Sequence, residues 1–186
     1  MWNYTINHVQ CKIVDMIITG GKYKGQKILA PDEKITRPTL SKVRMAVFNT
    51  LQAMTEFEKK SFFDMYAGSG IMGLEAISRG FAKLFACEKN KEVYRILKNN
   101  LSKYEKENKI EAILKDSIKF AQATDKFFDV VYIDPPYYSG VYEKSLESIK
   151  GKAGIVILEH VTPVDFGEFQ LIKQKCYGNK FVSFCK

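Results

Sequence analysis

From Ser61 to the end of the chain, short apolar runs alternate with segments of helical period, and this alternation constrains the fold more than any other feature. The pattern predicts strand 61–66, helix 71–79, strand 83–87, helix 91–104, strand 110–114, short helix 117–123, strand 127–133, helix 141–149 and strand 153–159. Runs such as Phe127 to Ile133 (F-F-D-V-V-Y-I) are apolar nearly throughout, as strands buried on both faces are. Such a succession makes an α/β, doubly wound, mostly parallel sheet with helices on both faces. Ligands of these sheets bind beyond the carboxyl ends of the strands. The tail, Phe169 to Cys176 and Lys180 to Cys185 around Tyr177-Gly178-Asn179, reads as a terminal β-hairpin. Ahead of the sheet, Met16 to Leu29 reads as a small β-hairpin arm, and the loop Ala30 to Pro38 follows it. A helix capped near Thr39 or Ser41 then runs to about Met54, with Val43, Val47, Leu51 and Met54 on one face.

The first strand ends in Asp64-Met65-Tyr66-Ala67-Gly68-Ser69-Gly70-Ile71-Met72-Gly73. A strand, a glycine-rich turn and a helix N-terminus make a pocket for a nucleotide-like ligand. Ala67, Gly68, Ser69 and Gly70 form the turn. Gly68 and Gly70 let the backbone approach the ligand, and Gly73 lets the helix pack on the sheet. The spacing also satisfies G-x-G-x-x-G, which leaves a nicotinamide-dependent dehydrogenase open. Three acids favour S-adenosylmethionine instead. Asp64, four residues before Gly68, can meet the cationic amino-acid end of that cofactor. Glu88 closes the next strand and is placed for ribose hydroxyls. Asp116-Ser117 follows the third strand, where an adenine amino group arrives. Each acid alone is equally well a solvated strand end; the succession is what argues for a site.

The fourth strand end carries Asp134-Pro135-Pro136-Tyr137. The carboxylate accepts hydrogen bonds from a planar amine. Pro135 offers its carbonyl as a second acceptor while its ring fixes φ. Tyr137 gives the ring bearing the amine a stacking face. These are the groups needed to alkylate the exocyclic amine of a nucleobase. The plain alternative is a turn that ends a strand, with Tyr137-Tyr138 capping the core.

The set D-x-x-A-G-S-G, Glu88, Asp116 and D-P-P-Y resembles the Rossmann-like S-adenosylmethionine-dependent methyltransferases. The front of the chain narrows this. Ile17-Ile18-Thr19-Gly20-Gly21-Lys22-Tyr23-Lys24-Gly25, then Arg37-Pro38-Thr39, Val43-Arg44 and Phe48-Asn49, resembles the bacterial 16S ribosomal RNA guanine-N2 methyltransferases of the RsmD type. The resemblance implies a seven-stranded sheet completed by the C-terminal antiparallel hairpin. It implies methylation of one guanine of 16S rRNA, with the assembling small subunit as a setting for the substrate. It divides the chain into an extension, 1–15, with no expected catalytic role; a basic arm and helix, 16–54; and a methyltransferase domain, 55–186. The extension lacks the features of a signal peptide. An adenine-N6 methyltransferase uses the same D-P-P-Y logic, and a non-catalytic RNA-binding protein on this fold is the reading from another class.

Charge agrees with an RNA partner. The formal charge is +8, and Met16 to Thr50 carry seven Lys or Arg against Asp32 and Glu33, a net of +5. Lys22, Lys24, Arg37, Thr39 and Arg44 are the candidate RNA contacts of the arm. No apolar run approaches roughly 18 residues, so no membrane span is expected. Cys11, Cys87, Cys176 and Cys185 include no C-x-x-C pair, and His8 and His160 are the only histidines, so no metal site is expected and reduced thiols of the cytoplasm are the simplest reading. Phe62, Phe63, Phe81, Phe85, Phe120, Phe127 and Phe128 read as core. Glu159 and His160 end the fifth strand, either edging the pocket or, on the preferred reading, as a solvated strand end. Lys103, Glu105, Lys106, Glu107 and Lys109 read as a solvated helix end.

Overall fold

Two-residue alternation along the strands builds two cores, one on each face of a single sheet. The computed structural model describes residues 16–30, 41–136 and 140–186, together with the backbone of residues 3–6 and 9–12. The elements are β1 (Asn3–Ile6), β2 (Val9–Lys12), β3 (Met16–Ile17), β4 (Lys27–Ile28), α1 (Ser41–Gln52), β5 (Ser61–Asp64), α2 (Ile71–Ser78), β6 (Lys83–Glu88), α3 (Lys91–Ser102), β7 (Lys109–Leu114), α4 (Ser117–Ala123), β8 (Phe128–Ile133), α5 (Val141–Ser148), β9 (Ala153–His160), β10 (Leu171–Tyr177) and β11 (Lys180–Cys185). Seven strands form one sheet in the order β10-β11-β9-β8-β5-β6-β7. Strands β5 to β9 are parallel to their neighbours among themselves, and β11 runs antiparallel to both β9 and β10. This is the mostly parallel sheet with a terminal hairpin that the alternation and the family resemblance implied. Among the described residues no helix is long and apolar enough to cross a membrane.

Along β5 and β8, Phe62, Val130 and Tyr132 enter the core beneath α1, α2 and α3. Phe63, Val131 and Ile133 enter the other, beneath α4 and α5. Because the side-chain period is two, Asp64, Glu88, Asp134 and Glu159 all continue the first face at the carboxyl edge. The edge of the sheet thus collects acids on one side.

Phe127, read as core, is 58% exposed; it precedes β8, and Phe128 is the ring that enters the core. Glu159 and His160 are buried, not solvated. β11 lies across the end of β9, pairing Phe181 with His160 and Val182 with Glu159. Both ring nitrogens of His160 are engaged, Nδ1 with the Thr162 carbonyl and Nε2 with Ser183 Oγ. The ring stacks on Phe181.

The arm is packed, not projecting. Met16, Ile18, Tyr23, Ile28 and Ala30 are buried in the first core. The arm's backbone is tied to α2, with Lys22 N donating to the Ser78 carbonyl and Tyr23 N to Ser78 Oγ. Gly21 is required at this seam, since a Cβ there would sit 1.9 Å from the Ser78 carbonyl oxygen.

Candidate active site

The glycine turn joins β5 to α2 with Gly68 at φ 53° and Gly70 at φ 85°. These left-handed values favour glycine. A Cβ at Gly70 would meet Leu97 at 2.6 Å, whereas one at Gly68 would meet nothing within 4 Å. Gly70 is therefore demanded by packing as well as by φ. Gly68 faces open space, where a ligand's backbone contacts would fall. At Gly73 a Cβ would strike Leu84 of β6 at 2.8 Å, which accounts for the close seat of α2 on the sheet. Ala67 N donates to the Cys87 carbonyl, and Gly70 N to that of Ala67. Ser69 is buried, its carbonyl held by Asn100 Nδ2 at 2.9 Å.

Asp64 ends β5 at 1% exposure. Neither carboxylate oxygen has a hydrogen-bond partner among the described residues. Burial, then the charge of Asp134, push its carboxyl up to about 8, and Glu88 adds to the rise; the amides of Gly73 and Tyr66, near but outside hydrogen-bonding geometry, oppose it. A buried carboxylate without partners is costly unless a cation or donor arrives. Glu88, half-buried, accepts from Gly68 N at 3.2 Å and from Asn90 N at 2.8 Å. It thus clips the glycine turn to the end of β6. Asp116 caps α4, accepting from Lys119 N at 3.1 Å, and Ser117 is buried behind it.

Asp134 leaves β8 half-buried, followed by buried Pro135 and exposed Pro136. Its Oδ1 lies 3.5 Å from Lys180 Nζ. Lys180 also pairs with Glu159, whose other oxygen accepts from Tyr132 Oη. Tyr137 of the motif lies outside the described residues, as do Arg37 and Thr39 of the arm.

The remaining arm candidates part company. Lys22 and Lys24 are exposed; Lys22 Nζ pairs with Glu107 at 2.7 Å, with its side chain 66% accessible. Arg44 is a correction. It is 2% exposed, 3.4 Å from Glu75 and donating to the Ile17 carbonyl at 2.8 Å. Glu75, fully buried, also takes Thr19 N and Arg79 Nε. Arg44 locks the arm to α2 and presents no donor to RNA. Asn100 is a second lock that sequence reasoning missed, bridging Leu29 of the arm to the glycine turn. The sequence reading did not bring Lys180 to this edge because it lies far along the chain, and it left Glu159 between a pocket edge and a solvated strand end. Among the described residues no cluster of three or more metal-ligating side chains occurs.

A mostly parallel seven-stranded sheet with a terminal antiparallel hairpin, a glycine turn after its first parallel strand and acids along its carboxyl edge is the architecture of the Rossmann-like methyltransferases. The chain belongs to the family described as conserved hypothetical protein 95, that of the RsmD-type proteins, whose model matches residues 16–186. The match begins at Met16, where the arm begins. Ribosomal RNA small subunit methyltransferase D of Buchnera aphidicola is 33% identical over 140 residues, covering 74% of this chain and 71% of that protein. The candidate rRNA methyltransferase YlbH of Bacillus subtilis is 27% identical over 183 residues, 92% of this chain and 98% of that one. The solved structure of the candidate methyltransferase yhhF from Escherichia coli superposes with a TM-score of 0.80 at 25% identity, covering 91% of this chain and 96% of that one.

Proposed function

We propose that the protein transfers a methyl group from S-adenosylmethionine to the exocyclic N2 amine of a guanine in 16S ribosomal RNA. The relatives' names support the rRNA part of this reading. The observation that carries the cofactor is the buried, unpartnered Asp64 carboxylate beside the charge of Asp134. Those acids ask for a cation, and a dinucleotide offers none at that position. Asp64 would hold the ammonium end, Gly68 to Gly70 would receive the cofactor's backbone-facing edge, with Ala67 and Ser69 completing the turn. Glu88 would take ribose hydroxyls through its remaining lone pairs, and Asp116 and Ser117 would flank the adenine. Bound there, S-adenosylmethionine supplies an electrophilic sulfonium methyl.

The guanine amine is a poor nucleophile because its lone pair is delocalised into the ring. The Asp134 carboxylate and the Pro135 carbonyl accept its two hydrogens and draw the nitrogen toward tetrahedral geometry, which localises the lone pair. Asp134 stabilises the positive charge that grows on nitrogen and is the acceptor for the proton it sheds. Orientation of the two reactants contributes several kcal/mol, of the order seen in intramolecular reactions. Tyr137 stacks on the base, which has left its helix to reach a strand-end pocket. Segment 16–54 serves as the RNA-gripping part, through Lys22, Lys24, Arg37 and Thr39, and 55–186 as the catalytic part. Small-subunit particles are the setting in which the guanine is presented.

Calorimetry with S-adenosylmethionine and with NAD, followed by tritium transfer from labelled S-adenosylmethionine to 30S particles, tests this. Binding of the first compound alone and incorporation into 16S rRNA are expected. Binding of NAD, or label in adenine, contradicts the reading.

A further inference from the structure

We propose that Lys180 is a positioning residue for Asp134, which makes the C-terminal hairpin part of the active site. The inference rests on the reading of Asp134 as acceptor of the target amine. Lys180 opens β11, 46 residues beyond Asp134. Its ammonium stands between two carboxylates, 3.5 Å from Asp134 Oδ1 and in close contact with Glu159 Oε2. The Lys180 and Asp134 side chains are 15% and 17% exposed, and Glu159 is fully buried. Glu159 is held in turn by Tyr132 Oη. Tyr132 lies two residues before Asp134 on the same face of β8. The chain of contacts therefore leaves β8, crosses β9 and β11, and returns to β8 at the carboxylate. An ammonium has three donors and no acceptor, so it can span both acids. Its engagement of Oδ1 sets the rotation of the Asp134 carboxylate. Two acids against one ammonium also leave a net negative charge at the strand ends, where positive charge develops on the amine.

A merely structural role is the alternative, in which Lys180 only offsets the buried Glu159. Lys180→Met alone does not separate the two, because it strands that buried charge and threatens the fold. The paired variant Lys180→Met with Glu159→Gln removes both charges and keeps an acceptor for Tyr132. Each full-length protein is assayed for tritium transfer from S-adenosylmethionine to 30S particles from cells lacking the gene. Positioning predicts that the paired variant keeps its S-adenosylmethionine Kd and its KM for particles within a few-fold. Its kcat falls about 10- to 100-fold, the scale of a displaced reacting group. Lys180→Arg retains most of the turnover. Wild-type kcat in the paired variant overturns the proposal. Asp134→Asn is assayed alongside. If it loses turnover while the paired variant does not, Lys180 alone is refuted; if it keeps turnover, the amine-acceptor reading falls and this proposal with it.

Discussion

Replacing Asp64 with asparagine should stabilise the protein without cofactor while it weakens cofactor binding, and the stabilisation should depend on pH. The carboxyl is 1% exposed and is raised from 3.8 to about 8 by burial first and Asp134 second. The folded chain therefore keeps a proton that the unfolded chain sheds more easily. The associated stability is fully present below about pH 4, declines through the neutral range, and is lost above about pH 8. At pH 7 roughly three pH units separate the solution from the unfolded value, an upper limit of about 4 kcal/mol at about 1.36 kcal/mol per unit. Relaxation and water entry reduce this to about 2 kcal/mol. In a domain of this size each kcal/mol moves Tm by about 2–4 °C. Asp64→Asn should then melt about 4–8 °C above the wild type at pH 7, the gap closing toward pH 4.5. Scanning calorimetry across pH 4.5 to 8 reads the gap, and titration calorimetry reads a weakened S-adenosylmethionine Kd. A Tm difference that does not vary with pH, or an unchanged Kd, refutes the reasoning.

Two further outcomes follow from the arm. Glu75→Ala removes an ion-pair partner of buried Arg44 and of Arg79; breaking a buried ion pair from one side costs about 3–5 kcal/mol, so thermal melting should drop by about 10 °C, and a drop below 3 °C would contradict the arm lock. Reversing Lys22 and Lys24 to glutamate should leave melting nearly unchanged, since the Lys22–Glu107 pair is exposed and contributes little, but should weaken RNA binding and flatten its salt dependence in filter-binding titrations; an unchanged slope removes the arm from the RNA interface.

What the sequence disclosed was what local chemistry dictates. Apolar runs that alternate with helical segments specify a parallel sheet, and Gly68, Gly70 and Gly73 announce the turn because each answers a local steric demand. The acids at strand ends are legible as a set: each alone is equally well a solvated strand end, and only their succession along one sheet edge argues for a site. Arg44 misled because a basic residue near the start of a polar-looking helix reads as surface. The Glu75 that buries it lies 31 residues away on another helix, and no local pattern announces that pairing. Lys180 escaped notice likewise, since antiparallel docking of β11 on β9 brings it to Asp134. Glu159 and His160 read as a solvated end because the strand that covers them comes later in the chain. Phe127 read as core because an apolar run does not reveal which of its residues enters the sheet first.

The central claim is that the end of β8 holds a guanine amine for methylation. Nucleoside mapping of 16S rRNA by mass spectrometry, from cells that lack the gene and are complemented by the wild type or by Asp134→Ala, tests it most directly. The account predicts that one N2-methylguanosine disappears on deletion, returns with the wild type, and stays absent with Asp134→Ala although that variant still binds S-adenosylmethionine. An unchanged methylguanosine at every position after deletion, or full restoration by Asp134→Ala, would contradict it.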